Sequence, residues 1–397
     1  MSADKTFFAA PMPSSEGWWS RLKHHLEDRL AQPSAYQWGR SRWWTRWAVR
    51  RRTERLFAWM GGFVNSQVLL ACMQLRLFDT LKHAPQTAAL LSQHLQVPLH
   101  ALLPLLQSAC AMDLLCQRGP DTFGLGPLGR VVQAHPGIAA MIEHNHLLYR
   151  DMAEPVRFLR ESNAGQMAAY WPYAQANGAA PALREEAAQQ LGTYSALMDA
   201  SQSFVITEIL DSYYFGDHQC VLDVGCGKGR FMATLAQRVP HLQLQLFDLP
   251  GVLALAQQRF EETNLQANVQ ARASFHPGSF LDDALPTGAD LVTLVRVAHD
   301  HSDQALRLLL RKVWDTLPVG GRVLLAEPMQ LPNAQASVVD PYFHFYLLAM
   351  GAGRLRSASE LMHLLETSGF SGVESVPTAM PIHAQIITGR KTSVYPS

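Results

Sequence analysis

The stretch Val221-Leu-Asp-Val-Gly-Cys-Gly-Lys-Gly-Arg230 decides the fold of this chain. An apolar run leads into a glycine-rich turn and the start of a helix, and a second apolar run, 242–247, ends on Asp248. Such a turn, with an acid at the tip of the next strand, forms a pocket for a nucleoside cofactor, because glycines let the backbone approach the ligand and the carboxylate accepts ribose hydroxyls. The alternative is a plain strand, turn and helix of another α/β fold.

The spacing of the three glycines indicates which cofactor to expect. A dinucleotide fingerprint has its third glycine three residues after the second, where this chain has Arg230. A P-loop has Ser or Thr after Gly-Lys, where this chain has a glycine. The pattern resembles motif I of the class I S-adenosylmethionine (SAM) methyltransferases, in which the turn holds the methionine part of SAM. That resemblance implies a set of cofactor-binding residues: Asp223, Gly225, Gly227, Gly229, Asp248 and Leu249.

Composition narrows the class of protein. Apolar residues make up 48% and charged residues 17% of the 397 positions, enough for a large core in two or three domains. A formal net charge of zero argues against general nucleic-acid affinity. The five cysteines form no Cys-x-x-Cys pair and indicate thiols in a reducing compartment. We see no secretory signal and no uninterrupted run of 18 apolar residues, so we expect a cytoplasmic protein without a membrane span.

Residues 1–56 form a basic leader of different composition. The first 60 residues hold seven of the nine tryptophans, and 11 Lys or Arg against five Asp or Glu. Trp beside Arg suits a membrane interface, where indoles lie at headgroup depth and guanidinium groups meet anionic lipid, so residues 18–59 are a candidate for peripheral membrane contact. Two other interpretations stay open: a helical arm that packs on a partner subunit, and a nucleic-acid patch.

Residues 57–190 are predicted to form a mostly helical domain and connector. Apolar residues recur at helical spacing in 63–81 and 87–115, and 117–126 is predicted as a hairpin, which together indicate a winged helix. No Lys or Arg lies between His83 and Gln117, so the helix that would enter a DNA groove cannot neutralise phosphate. We therefore expect a dimer contact there rather than nucleic acid.

Residues 191–397 are predicted to form an α/β domain. Five strands alternate with helices such as 303–317 and 357–368, and a terminal hairpin follows. The expected strands are 219–225, 242–248, 269–275, 290–297, 321–327, 372–378 and 383–390. This pattern predicts an open, mostly parallel, seven-stranded sheet with helices on both faces and ligands at the carboxyl ends of its strands.

Two candidate catalytic residues follow neighbouring strands. His299 comes at the end of the fourth strand, and an imidazole titrates near neutrality, as a general base requires. Glu327 ends the fifth strand and is placed to orient that imidazole. The alternative is that His299 only caps the helix at 303–317 and that Glu327 is a solvated strand end.

Residues 60–397 resemble the O-methyltransferases related to plant phenolic methyltransferases and acetylserotonin methyltransferase. The family's catalytic segment, Leu-x-x-x-Leu-His-Asp-Trp-x-Asp, corresponds to Leu294–Asp303. The resemblance implies that His299 is the base and Glu327 the first of two supporting acids. It also implies a winged-helix dimerisation domain, a homodimer, a Rossmann-like SAM domain, metal-free chemistry, and further cofactor contacts from Ser279, Phe280 and Arg296.

Three positions depart from the family pattern. The Trp after His-Asp is His301, the adenine-contacting acid is Ser279, and the second supporting acid is Leu355. Aromatic and apolar residues are dense around position 345, which indicates a long apolar substrate. We expect substrate contacts from His144, Met198, Phe343, Tyr346 and Met350.

Within the family, the chain is most similar to the bacterial branch that methylates hydroxycarotenoids of the hydroxyneurosporene type. The similarity covers the leader and the segments 62–72, 149–155, 170–173 and 194–201. It implies methylation of the tertiary hydroxyl of an acyclic hydroxycarotenoid, with the leader on an inner or photosynthetic membrane. The alternatives are another apolar acceptor, either a phenol or a tetrapyrrole carbon, and a SAM-sensing winged-helix regulator. A nicotinamide dehydrogenase is disfavoured by the glycine spacing.

Overall fold

A computed structural model describes residues 18–161, 165–170, 202–262, 267–331, 336–351 and 353–392. The predicted boundary between residues 190 and 191 lies outside these ranges. The amino-terminal half is helical apart from a small sheet. Its elements are α1 (Trp18–Ala31), α2 (Pro33–Ser41), α3 (Trp43–Gln74), α4 (Leu77–Thr80), β1 (Gln86–Thr87), α5 (Ala88–Leu95), α6 (Leu99–Ala111), β2 (Leu115–Gly119), β3 (Thr122–Leu125), α7 (Pro127–Ala134), α8 (Pro136–Asp151), α9 (Pro155–Arg160) and α10 (Gln166–Tyr170).

The segment from β1 to β3 has the winged-helix arrangement. The three short strands form an antiparallel sheet in the order β1-β3-β2, with β2 and β3 as the wing. Helix α5 begins where the Thr87 hydroxyl accepts the N–H of Leu90, which satisfies an open helix end. The apolar faces of α5 and α6 meet in one core through Leu91, Leu102 and Leu106.

Helix α3 joins the basic leader to this domain without a break. By length and composition alone it could cross a membrane, although its Asn and Gln residues interrupt the apolar segment. Core helices pass the same test. The carboxyl end of α3 packs against the winged-helix core through Cys72, Leu69 and Met73, but only 6% of the apolar window of the helix is buried.

The carboxyl-terminal half is a seven-stranded sheet with helices on both faces. Its elements are α11 (202–212), β4 (Cys220–Val224), α12 (Arg230–Arg238), β5 (Gln243–Asp248), α13 (Pro250–Glu262), α14 (Ala267–Gln270), β6 (Ala273–Pro277), β7 (Leu291–Val295), α15 (Asp303–Thr316), β8 (Arg322–Glu327), α16 (Ala336–Met350), α17 (Ala358–Thr367), β9 (Phe370–Val376) and β10 (Gln385–Lys391). The strand order is β6-β5-β4-β7-β8-β10-β9.

The sheet confirms the predicted fold class. Strands β4 to β8 are parallel to one another, and β10 runs antiparallel to both β8 and β9. The expected strand at 269–275 is wrong over its first residues, because 267–270 form a helical turn that buries Val269 instead. Parallel pairing brings the carboxyl ends of β4, β5, β7 and β8 to one edge, where Gly227, Asp248, His299 and Glu327 lie.

Candidate active site

The glycine turn after β4 is held in a backbone conformation that glycine adopts most readily. Gly225, Gly227 and Gly229 have φ angles of 76°, 55° and 70°, in the left-handed region that costs other residues about 1–2 kcal/mol. A Cβ on Gly225 would lie 2.7 Å from Cγ2 of Val297. The turn therefore packs directly against the loop that carries His299.

Gly227 and Asp248 form the part of the turn that faces the cofactor side. Nothing lies within 4 Å of a Cβ built on Gly227, so the turn leaves open space there. The Asp248 carboxylate accepts the N–H of Gly227 at 2.8 Å and the N–H of Leu249 at 2.7 Å. An open backbone cradle beside a fixed carboxylate fits the methionine and ribose parts of SAM.

Asp223 lies beneath this turn, inside the sheet. It is buried, and its Oδ1 accepts the hydroxyl of Thr293 on the neighbouring strand at 2.7 Å. Burial raises the pKa of Asp223 to about 7; the Thr293 hydrogen bond opposes that shift and the nearby Asp248 adds to it. Asp223 thus joins β4 to β7 directly below the cofactor turn.

Ser279 and Phe280 follow β6 at the same edge. The Ser279 hydroxyl accepts the backbone N–H of Leu281, and the backbone N–H of Ser279 donates to the Asp283 carboxylate. The Phe280 ring meets the His301 ring edge-on at a centroid distance of 4.9 Å. Burial, and then the nearby His299, lower the pKa of His301 to about 4, so His301 is a neutral ring that packs beside Phe280.

His299 and Glu327 form the buried pair that the sequence predicted. Nδ1 of His299 lies 2.5 Å from Oε2 of Glu327, and both side chains are almost fully buried. Oε1 of Glu327 also accepts the N–H groups of Val297 and Ala298, at 2.8 and 2.7 Å. Glu327 therefore binds the backbone of the loop as well as the imidazole, and the interpretation of it as a solvated strand end is wrong.

A second carboxylate lies on the other side of the imidazole. Nε2 of His299 is 3.2 Å from Oδ1 of Asp300. Burial lowers the pKa of His299, but the carboxylates of Asp300 and Glu327 outweigh it, and the net pKa is raised above 6.5. Both ring nitrogens of His299 therefore face carboxylates, Nδ1 that of Glu327 and Nε2 that of Asp300.

Arg296 turns the chain out of β7 toward this pair. Its φ angle is 57°, an uncommon conformation for a residue with a side chain, and its N–H donates to the carbonyl of Ala326. Backbone strain of this kind is concentrated at functional sites. The turn allows Ala298–Asp300 to form a 3₁₀ turn over Glu327.

Four of the five predicted substrate residues lie in or against one apolar cluster between α8 and α16. Tyr346 and Met350 are buried in it, and Phe343 packs against it. Nε2 of His144 is 3.4 Å from the hydroxyl of Tyr346. Burial, and to a smaller extent the charge of His146, lower the pKa of His144 to about 4. Met198 lies outside the described residues.

Two contributors to this region were missed at the sequence level. Asn145 accepts the hydroxyl of Tyr342 at 3.0 Å, which joins α8 to α16 a second time. Arg356 is buried against the catalytic loop. Nothing in the sequence indicated what Arg356 contacts.

These features together define a class I SAM-dependent methyltransferase: a glycine cradle and an acid at one sheet edge, with a buried His–Glu pair at the next strand tips. An O-methyltransferase domain model matches residues 149–371, and an O-methyltransferase dimerisation domain model matches residues 57–134. The chain belongs to this O-methyltransferase family and uses SAM as its methyl donor. The second match supports a homodimer.

Similar proteins agree with this assignment. The chain is 40% identical over 347 residues to the demethylspheroidene O-methyltransferase of Cereibacter sphaeroides, covering 87% of this chain and 89% of the relative. It is 38% identical over 344 residues to the enzyme of the same name from Rhodobacter capsulatus, covering 86% and 83%. The crystal structure of human N-acetylserotonin methyltransferase in complex with SAM has the same fold, with a TM-score of 0.70 at 21% identity, covering 86% of this chain and 98% of that one.

Proposed function

We propose that this enzyme methylates the tertiary hydroxyl of an acyclic hydroxycarotenoid, the demethylspheroidene or hydroxyneurosporene type of acceptor. The observation that carries the proposal is the apolar cluster between α8 and α16, which reaches the catalytic edge through Leu355. The names of the two bacterial relatives support the same acceptor. A long hydrocarbon is bound mainly by burial of apolar surface, worth about 25 cal/mol per Å².

Leu355 distinguishes this site from that of a phenol methyltransferase. It stands where the resemblance places a second supporting acid, and it is buried in the cluster that contains Tyr346, Leu347 and Met350. A leucine there removes a charge from the wall next to the catalytic loop. An apolar wall suits an acceptor whose hydroxyl sits on a saturated carbon chain.

His299 acts as the general base in this proposal. SAM supplies a methyl group activated by its sulfonium. An alkanol is far less acidic than an imidazolium of reference pKa about 6.5, so His299 does not ionise the acceptor beforehand. Nε2 of His299 accepts the hydroxyl proton while the new bond to oxygen forms, and Glu327 stabilises the resulting imidazolium.

Positioning outweighs the base in magnitude. General-base catalysis contributes roughly 10²–10⁴ in rate, whereas holding the reactants in place supplies about 7–11 kcal/mol. The apolar cluster holds the acceptor chain and the glycine turn holds the donor. Val297 packs against Gly225 and precedes the catalytic turn, so the donor and base sites are built on contacting segments.

We further propose that residues 18–59 bind the surface of an anionic bilayer, the phase in which such an acceptor dissolves. Trp43, Trp44 and Trp47 lie on one side of α3 and are 79%, 60% and 67% exposed. Guanidinium groups lie over neighbouring indoles, for example Arg51 over Trp47 at 5.4 Å. The segment from 40 to 55 has seven arginines and a single acid, so its charge complements anionic lipid.

The position of the leader in the family favours lipid over a second copy of the chain. The dimerisation domain model begins at residue 57, which leaves residues 18–56 outside it. A segment outside the dimerisation domain is free to serve the acceptor's location, and the proposal places it peripherally on an inner or photosynthetic membrane.

The acceptor is tested by co-expressing the enzyme with a pathway that makes an acyclic hydroxycarotenoid, followed by mass analysis of the pigments. The proposal expects one added methyl on the hydroxycarotenoid. Matched incubations with labelled SAM offer a phenol and a chlorophyllide instead. Transfer to either of these, with the carotenoid left unchanged, would overturn the proposed acceptor.

A further inference from the structure

We infer that Arg356 is a positioning residue that fixes the catalytic turn 298–301 by binding its carbonyl oxygens. This inference rests on the proposed role of His299 as the base. Arg356 is 1% exposed although it carries a full charge. A buried guanidinium is costly unless its donors are satisfied, so its partners identify its task.

Glu327 and Arg356 bind the catalytic turn from two sides. Glu327 accepts the N–H of Val297, just before the turn, and those of Ala298 and His299 at its start. Arg356 donates to carbonyl oxygens of the turn: Nη1 to that of Ala298 and Nη2 to that of His301, both at 2.7 Å. One buried anion and one buried cation thus pair with the backbone dipoles on either side of His299.

A third carbonyl of the turn is bound by the same segment. The N–H of Arg354 donates to the carbonyl of His299 at 3.0 Å. A Cβ on Gly353 would lie 2.0 Å from that carbonyl oxygen, so only glycine permits this approach. The segment 353–356 therefore follows the catalytic turn closely enough to fix it.

Arg356 is itself held in place from two directions. Its Nε and Nη2 donate to Oδ1 of Asp303, at 2.9 and 2.6 Å. Its backbone carbonyl accepts the N–H of Gln330, and Met329 pairs with it as an isolated bridge just beyond β8. Since Glu327 ends β8, the backbone of Arg356 is tied to the chain two to three residues beyond the carboxylate that binds the same turn.

This arrangement accounts for a catalytic pair that lacks the family's second supporting acid. Leu355 cannot hold the imidazole, so the orientation of His299 depends on Glu327 and on the fixed backbone of the turn. Arg356 does not touch the imidazole and acts through the carbonyl groups of Ala298 and His301. A shift of about 1 Å in a reacting group lowers turnover by roughly 10².

Arg356→Lys is the direct test, because lysine keeps the charge but cannot reach both carbonyl groups and Asp303 together. We expect kcat to fall by about 10² while the Kd for SAM, measured by calorimetry, stays within about twofold of the original value. The acid limb of the kcat pH profile should also move toward the value of an ordinary histidine. Arg307→Lys, at an exposed arginine on α15, is the matched control and should leave both quantities unchanged.

Asp303→Asn tests the same connection with little risk to folding, since the Asp303 side chain is nearly half exposed. It loosens the guanidinium and should lower kcat by roughly tenfold with SAM binding intact. If Arg356→Lys fails to fold, the result for Asp303→Asn tests the positioning role by itself. The positioning role would be overturned if every variant that folds kept the kcat and the pH profile of the unmodified enzyme. Full activity of His299→Gln would instead overturn the proposed base, so the two failures are distinguishable.

Discussion

Glu327 and His299 are joined twice: Oε2 of Glu327 lies 2.5 Å from the imidazole Nδ1 and accepts the backbone N–H of His299 at 3.4 Å. With Val297 and Ala298 bound to Oε1, the carboxylate accepts from four donors through both oxygens. A glutamine at position 327 cannot make all four hydrogen bonds, because its NH₂ group would face an N–H donor of the loop in place of an accepting oxygen. The carboxylate is therefore required for both the shape of the turn and the tautomer of the base.

Glu327→Gln should lower both stability and turnover. Breaking a buried charged interaction costs about 3–5 kcal/mol, and misorienting the base should reduce kcat by roughly 10². Chemical denaturation and single-turnover assays measure the two effects. Glu366→Gln, at an exposed position of α17, is the matched control. A Glu327→Gln enzyme with unchanged stability and kcat would contradict the described pair.

The pH dependence of activity should show an acid limb above the ordinary histidine value. The pKa of His299 is raised because Asp300 and Glu327 together outweigh its burial. A base must be neutral to act, so activity should rise with pH as His299 loses its proton. Asp300→Asn removes one carboxylate and should move the limb to lower pH. A limb that does not move in this variant would show that another group controls it.

The same shift has a consequence for stability. A histidine with a raised folded pKa stabilises the fold in its charged form, so the contribution is present below the unfolded pKa of about 6.5. It is lost as pH rises through the folded pKa. We expect the stability difference between the original enzyme and His299→Gln to shrink across that window. Urea unfolding at a series of pH values measures it, and a difference that grows with pH would contradict the assignment.

Gly227→Ala should weaken SAM binding without unfolding the protein. Its φ of 55° strains any side chain, and the added methyl enters the open side of the turn. Gly372→Ala is a matched control, because that glycine has a φ of 56°, equally open surroundings and a position in β9 away from the site. Calorimetry should show a Kd increase of about tenfold or more for the first variant only. Equal SAM affinity in both variants would remove Gly227 from the cofactor site.

The leader should bind anionic vesicles and release them in salt. Each basic residue near an anionic surface contributes about 1 kcal/mol, and the interaction is screened by added ions. Serine substitution of Trp43, Trp44 and Trp47 together should abolish flotation with phosphatidylglycerol vesicles. The control is Tyr214→Ser, at a similarly exposed aromatic. If the triple variant still bound vesicles but no longer formed the homodimer, the tryptophan face of α3 would instead be a contact with a second copy of the chain.

Much of the fold follows from local sequence signals. The glycine turn and Asp248 are contiguous patterns, and parallel pairing then places His299 and Glu327 at neighbouring tips. What escaped prediction depends on contacts between distant segments. Arg356 reaches the catalytic turn across more than fifty residues of chain, and Asp300 meets Nε2 of His299 in a turn that follows the left-handed backbone of Arg296. The helical turn at 267–270 was mistaken for strand because short apolar runs suit either structure.

Turnover of an acyclic hydroxycarotenoid by His299→Gln at saturating SAM tests the central claim most directly. The account predicts a loss of roughly 10²–10⁴ in kcat, with the Kd for SAM unchanged in calorimetry. Turnover equal to that of the original enzyme would contradict the assignment of His299 as the base.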